Sequence, residues 1–270
     1  TPASGGWQLW VANADMTSPQ KLPVKGGTSP ALWSPDGSKL AATSRQFGSE
    51  HAVVVSIAGG EAKRVSTGSG VDYEMGWFAD GERLAYTAST GEGGGNVTAF
   101  VSTLATGLAR RLVPGDQRPL LAIPSPDGSH VAINVVDGSS STIWVQDSAG
   151  ARPRQLTTEG FEAFTTMSWS PDGRSILYVS RRTGTTDLWV VSVEGGAPRQ
   201  LTRDVRNDGG GVWSPDGKWV AFISDRGRES AIWLVSAIGG GEQRVTRTPG
   251  RESRLAWKPG TNELTFVRNL

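Results

Sequence analysis

Cysteine is absent from the 270 residues. That excludes a disulfide framework, a thiolate nucleophile and a thiolate metal site. Histidine occurs only twice, at His51 and His130. No apolar run approaches the roughly 18–20 residues that cross a bilayer, so the expectation is a soluble chain without membrane insertion. An excess of one charge is missing too: 27 basic residues face 26 acidic ones. No broad field draws the chain to nucleic acid or to an acidic membrane. No amphipathic stripe at helical spacing reaches a useful length. An initiator methionine is also lacking, since the chain starts Thr1-Pro2-Ala3. Such a start points to a processed export signal or to an artificial boundary, and a periplasmic or secreted location is the expectation.

What the chain has is a repeat. Trp33-Ser34-Pro35-Asp36-Gly37, Trp77-Phe78-Ala79-Asp80-Gly81 and Pro124-Ser125-Pro126-Asp127-Gly128 are its first three copies. Trp169-Ser170-Pro171-Asp172-Gly173, Trp213-Ser214-Pro215-Asp216-Gly217 and Trp257-Lys258-Pro259-Gly260 follow, at steps of 44 to 47 residues. A period near this length with several short strands in each copy marks a propeller blade. Ser at the first turn position, Pro at the second and Gly at the fourth suit a type I turn.

The copy from Phe164 to Thr202 reads most clearly. A first strand ends at Trp169, and Ser175-Ile176-Leu177-Tyr178-Val179-Ser180 follows the turn as a second. Asp187-Leu188-Trp189-Val190-Val191-Ser192 makes a third, and Pro198-Arg199-Gln200-Leu201-Thr202 a short fourth. Four strands with tight turns form one antiparallel blade. After Trp257 the chain supplies a second strand, Glu263-Leu264-Thr265-Phe266-Val267, and stops. Third- and fourth-strand patterns stand instead at the start, in Trp7-Gln8-Leu9-Trp10-Val11-Ala12 and Gln20-Lys21-Leu22-Pro23.

The expected fold is therefore all-β: a six-bladed β-propeller of four-stranded antiparallel blades, one domain over residues 1–270. The blades fall at about 25–67, 68–114, 115–158, 159–203, 204–247 and 248–270 plus 1–24. Both termini would close the last blade, two strands from each, which removes an open edge.

The Trp-Ser-Pro-Asp-Gly-Lys/Arg signature resembles the TolB-type propeller repeat. Trp213-Ser214-Pro215-Asp216-Gly217-Lys218 and Trp169-Ser170-Pro171-Asp172-Gly173-Arg174 match it in full, and the resemblance covers the whole chain. Three copies depart from it, at Pro124, at Phe78-Ala79 and at Pro259-Gly260. The resemblance implies a partner-binding protein of the periplasm, although the α/β domain that precedes the TolB propeller has no room here. Similar propellers also precede the catalytic domains of prolyl-oligopeptidase-like peptidases and some amidohydrolases, where they gate or position substrate.

Chemistry is sparse. No Gly-x-Ser-x-Gly elbow occurs, and Gly93-Gly94-Gly95 and Gly209-Gly210-Gly211 lack the Lys-Ser/Thr of a phosphate loop. In the propeller layout His51 and His130 belong to loops at opposite ends of the ring, so they share no metal and form no acid–base couple. Each is read as a surface polar residue. Of the eleven tryptophans, Trp33, Trp77, Trp169, Trp213 and Trp257 recur at one blade position. Trp10, Trp144, Trp189 and Trp233 recur at another, which favours packing between blades over ligand contact.

One constellation remains. Five residues before the signature position stand Thr28, Asp72, Pro119, Phe164, Asp208 and Glu252. Glu74, Glu159, Glu162 and Asp204 lie in the same approaches, interleaved with Arg206, Arg251 and Arg254. Propeller symmetry would gather these acids at the mouth of a central channel. There they would hold a hard cation such as Ca²⁺, through Asp72, Asp208 and Glu252, or a cationic ligand group. Otherwise they form a solvated rim neutralised by the arginines.

The leading expectation is a monomeric, non-catalytic binding module that needs no cofactor and takes a protein or small-molecule ligand. Its candidate residues are Asp72, Glu74, Glu162, Arg206, Asp208, Glu252 and Arg254. An accessory substrate-gating propeller of a larger hydrolase is the alternative, and a propeller polysaccharide lyase or glycosidase ranks last.

Overall fold

The computed structural model describes residues 8–13, 15, 17–26, 31–90, 96–113, 117–138, 140–150, 152–158, 161–162, 166–227, 230–247 and 251–269. Thr28, Glu159 and Phe164 lie outside the described residues. Those described form strands and turns and no helix, as the missing helical stripe predicts. The chain divides into two compact units, 1–135 with 146–153, and 136–145 with 154–270.

In the first unit, β1 (Gln8–Val11) and β2 (Gln20–Lys25) form a two-stranded antiparallel sheet. Next come β3 (Leu32–Trp33), β4 (Lys39–Phe47), β5 (Ser49–Ser56) and β6 (Lys63–Arg64), a four-stranded antiparallel sheet in chain order. Then β7 (Asp72–Trp77), β8 (Arg83–Thr90), β9 (Asn96–Thr103) and β10 (Ala109–Arg111) repeat that order. A further sheet runs β11 (Arg118–Pro124), β12 (His130–Asp137), β13 (Ser140–Asp147) and β14 (Arg154–Gln155), with β15 (Phe161–Glu162) added to β13. The division between the units falls within this sheet.

The second unit holds two more four-stranded sheets and a hairpin. One is β16 (Met167–Trp169), β17 (Ser175–Ser180), β18 (Asp187–Ser192) and β19 (Arg199–Gln200). The other is β20 (Asp208–Trp213), β21 (Trp219–Ser224), β22 (Ala231–Ser236) and β23 (Gln243–Arg244). The hairpin pairs β24 (Arg251–Trp257) with β25 (Leu264–Asn269). The second and third strands of each full sheet carry the core. Leu84, Tyr86, Ile133, Ile143, Ile176, Leu188, Phe222 and Ile232 are all fully buried.

The signature turns share one construction. In Ser34-Pro35-Asp36-Gly37 the Gly37 amide donates to the Ser34 carbonyl at 2.9 Å, and the Ser34 amide to the Lys39 carbonyl at 2.9 Å. Asp36 accepts the Ser34 hydroxyl at 2.6 Å and the Ser38 amide at 3.1 Å. Ser125/Asp127, Ser170/Asp172 and Ser214/Asp216 repeat the hydroxyl–carboxylate bond at 2.5–2.6 Å. The glycines Gly37, Gly128, Gly173 and Gly217 all take φ near 70°, a left-handed conformation that costs a residue with a Cβ about 1 kcal/mol or more. The departures keep the turn. Phe78 replaces the serine, and Arg83 becomes the partner of Asp80 at 2.6 Å while lying over the Phe78 ring. In Lys258-Pro259-Gly260 the positive φ moves to the third turn position, as in a type II turn.

The tryptophan expectation holds only in part. Trp169 and Trp189 are buried, and Trp77 and Trp257 are half-buried. Their function as braces is visible: Trp77 Nε1 donates to the Leu32 carbonyl at 3.0 Å and Trp257 Nε1 to the Val212 carbonyl at 3.2 Å. Each indole thus spans from its own first strand to that of the preceding sheet. Trp10 and Trp33, however, are 55% and 51% exposed. The sheet preceding β3 in its unit is the two-stranded β1–β2, which has no first strand to receive an indole.

Candidate functional site at the first-strand acids

Asp72, Asp208 and Glu252 occupy one register position, near the start of β7, β20 and β24. In all three strands a bulge follows at once: the pairing slips between Asp72 and Met75, between Gly209 and Val212, and between Ser253 and Ala256. A bulge re-aims the residues around it. In β20 the bulge carries Gly210 at φ 62°, and in β24 its counterpart is Arg254 at φ 54°. An arginine with this backbone is uncommon and costs of order 1 kcal/mol.

These acids are not a solvated rim. Asp72 is 2% exposed, Asp208 0% and Glu252 4%. A buried carboxylate needs a counter-charge or hydrogen bonds, and each finds one. Arg226 Nη2 lies 2.7 Å from Asp208 Oδ2, and the same guanidinium pairs with Glu242 and, at 3.7 Å, with Asp204. It also sits over the rings of Trp233 and Phe222, at 4.8 and 5.5 Å. Arg268 Nη2 lies 2.8 Å from Glu252 Oε1, directly across the hairpin. Among the described residues Asp72 has no arginine this close. It accepts the Ala52 amide at 2.6 Å and faces His51 Nδ1 at 3.5 Å. Burial pushes the Asp72 carboxyl up, against the hydrogen bonds from Ser66 and Ala52.

The three share a further property. One oxygen of each carboxylate, Asp72 Oδ1, Asp208 Oδ1 and Glu252 Oε2, is buried without a hydrogen-bond partner. A half-satisfied buried carboxylate is costly and calls for an explanation.

The remaining expected residues separate from this position. Arg206 and Arg254 are exposed and are not the neutralising partners. Glu162 lies in β15, opposite Ser140 of β13, and Glu74 lies in the β7 bulge. Arg226 and Arg268 were missed by sequence reading. Arg268 had a legible signal: Glu252 and Arg268 are nearly equidistant from the Lys258-Pro259-Gly260 turn, so a simple hairpin register sets them face to face. His51 is a correction. It is 2% exposed rather than a surface residue, because the β4–β5 pairing extends past it to Phe47 and Ser49 and so places it in a strand rather than in a loop.

Consecutive antiparallel sheets of four strands in chain order, each opened by the signature turn and all but the Pro124 copy by its tryptophan, are propeller blades. The family model of the TolB beta propeller domain matches residues 8–168 and 125–269, and the chain belongs to that family. No curated protein matches the chain in sequence. Among solved structures, a putative TolB from Agrobacterium tumefaciens is similar at 25% identity and TM-score 0.56, covering 77% of this chain and 74% of that one. TolB from Acinetobacter baumannii is 22% identical at TM-score 0.56. That match covers 86% of this chain and 57% of TolB, so the chain spans little more than half of that relative. A structure from a study of two prolyl endopeptidases superposes at TM-score 0.74 with 15% identity, over 97% of this chain and 42% of that one. This last likeness is one of fold.

Proposed function

We propose that the chain is a recognition module of the TolB propeller type, which holds a protein or small-molecule ligand through the first-strand acids. The observation that carries this is the unpartnered, buried oxygen on each of Asp72, Asp208 and Glu252. Each of these carboxylates, Asp72 in the first unit and Asp208 and Glu252 in the second, keeps one oxygen that offers acceptor capacity to a cationic group or to a hard cation such as Ca²⁺. Among the described residues no group of three or more His, Asp or Glu gathers as a metal cluster, so a cationic group of a larger ligand is the first reading. Arg206 and Arg254, exposed beside these strands, would supply the polar rim. Six blades closed by β24, β25, β1 and β2 are part of the proposal, as are a periplasmic or secreted location and a monomeric state. Among the described residues no helix is long and apolar enough to cross a membrane.

Calorimetry with Ca²⁺ separates the two ligand classes. Heat of binding with a chelator-sensitive rise in melting temperature would assign a cation to the acids. No heat leaves the organic cationic group, to be sought in what co-purifies. A second reading, a gating domain of a larger hydrolase, is supported by the coverage of the endopeptidase match, nearly all of this chain against 42% of that one. The coding sequence flanking residues 1 and 270 decides it, since an adjoining catalytic domain would favour this second reading.

A further inference from the structure

A second constellation stands in the first unit and shares only Asp72 with the acids proposed for recognition; Asp208 and Glu252 take no part in it. Ser49 opens β5 just after Gly48, which turns the β4–β5 hairpin with a φ of 105°. The Ser49 hydroxyl lies 3.0 Å from His51 Nε2, two residues along the same strand face. Across the ring, His51 Nδ1 lies 3.5 Å from Asp72 Oδ2. Asp72 is itself fixed by the Ala52 amide at 2.6 Å and by the Ser66 hydroxyl. His51 and Asp72 are both 2% exposed, whereas Ser49 is only half-buried. From solvent inward the order is therefore hydroxyl, imidazole, carboxylate, the arrangement of a nucleophile, its base and the group that orients the base.

The repeated frame does not require this pair. At the equivalent place in three other sheets, the amides of Ile143, Leu188 and Ile232 are capped by the hydroxyls of Thr157, Thr202 and Thr246. The Ala52 amide is capped instead by a carboxylate from the following sheet. The position of His51 is filled by Thr142, Asp187 and Ala231 in those sheets. The Ser69 and Gly70 carbonyls also lie within reach of the Ser49 hydroxyl, at 3.2 and 3.3 Å; with the imidazole proton on Nδ1, facing Asp72, Nε2 at 3.0 Å is the nearest acceptor. At this 3.5 Å separation His51 Nδ1 is buried without a hydrogen-bond partner; catalytic contacts are often this long before substrate binds and tighten afterwards.

We infer that Ser49, His51 and Asp72 form a nucleophilic serine site that accepts an acyl group from a carboxylic ester. Ser49 Oγ bonds to the acyl carbon while its proton passes to His51 Nε2. The ester C–O bond then breaks, and that proton leaves on the alcohol. Water adds to the acyl carbon in turn, giving a proton to Nε2, and the bond to Ser49 breaks as the proton returns to Oγ. A carboxylic acid is released, and no oxidant or cofactor enters. Asp72 is a positioning residue that orients His51. Phe47, 42% exposed and paired with Ser49 across the hairpin, offers an apolar surface to an acyl or aryl group.

Burial and then the charge of Arg64 on β6 hold His51 below its ordinary value, while Asp72 opposes them. The imidazole is thus a neutral base near pH 7. Tyr86 on β8 is the further titratable group in the electrostatic reach of Asp72.

A fluorophosphonate probe, which exchanges its P–F bond for a P–O bond at an activated serine, tests the site on the full chain by intact mass. One adduct on the wild type, mapped by peptide mass to the segment holding Ser49, is expected. Ser49→Ala should take none, and His51→Gln should label roughly 100-fold more slowly. The rate should rise with pH through a midpoint below about 6.5, and Asp72→Asn should move that midpoint lower. Melting curves show whether each variant is folded, and the wild-type peptide map stands even if one is not. No adduct on folded wild type, or an adduct mapped elsewhere, would overturn the inference. So would unchanged labelling in a folded His51→Gln.

Discussion

Asp127 shows what one residue of the turn contributes. Its carboxylate accepts the Ser125 hydroxyl, the Ser129 amide and the Ser129 hydroxyl, and these bonds hold its pKa at about 2. The folded value lies below the unfolded one, near 3.9. Its stabilising contribution is therefore present above about pH 3.9 and is lost as pH falls through about 2. Thermal melts between pH 5 and pH 2 should show a smaller acid-induced loss for Asp127→Asn than for the wild type; parallel losses would refute this assignment. His51 works in the same direction at higher pH. Its lowered folded value means that stability is lost as pH falls below about 6.5. A His51→Gln protein should therefore lose less melting temperature than the wild type between pH 7.5 and pH 5. At this scale the sequence located Asp72, Asp208 and Glu252 by repeat position alone. The partner of Glu252 was legible from the hairpin register, but that of Asp208 was not, because Arg226 comes from the segment between β21 and β22, whose conformation the repeat does not encode.

At the scale of elements, the short fourth strands carry a latch that the sequence reading passed over. Arg110, Arg154 and Arg199 each donate from a fourth strand to a carbonyl at the end of the next sheet's third strand: Ser148, Val193 and Ala237. A glycine with positive φ stands beside each guanidinium, namely Gly150, Gly195 and Gly239. A Cβ there would lie 3.1–3.4 Å from the arginine nitrogens. The signal was present, as arginine recurs in these segments at the blade period and glycine recurs after the third strand. Its meaning depends on which sheet faces which, and a one-dimensional pattern does not carry that. Arg199→Ala removes a charged donor from an exposed site and should cost about 1 kcal/mol, a fall of roughly 2–4 °C in melting temperature. No change on differential scanning calorimetry would reduce the latch to a surface contact. The strained Arg254 bulge yields the opposite sign: Arg254→Gly should keep or raise the melting temperature, since its counterpart is already Gly210 at φ 62°.

At the scale of the whole molecule, the repeat made the four-stranded sheets and their strand order legible, while β1–β2 and β24–β25 stand as separate two-stranded sheets, the two halves that the proposed closure would join. Deleting residues 1–24 should then lower the melting temperature and promote aggregation. A monomeric 25–270 protein that melts like the full chain would remove the closure. What the repeat could not convey is where it is broken for use. The signature turns are alike and serve as scaffold, whereas the half-satisfied acids occur in only some blades. The most direct measurement of that division is native mass spectrometry of the chain purified without chelator, beside the double variant Asp208→Asn/Glu252→Gln. A bound species on the wild type that is missing from the folded variant is the predicted result, and an identical bare mass for both would contradict it.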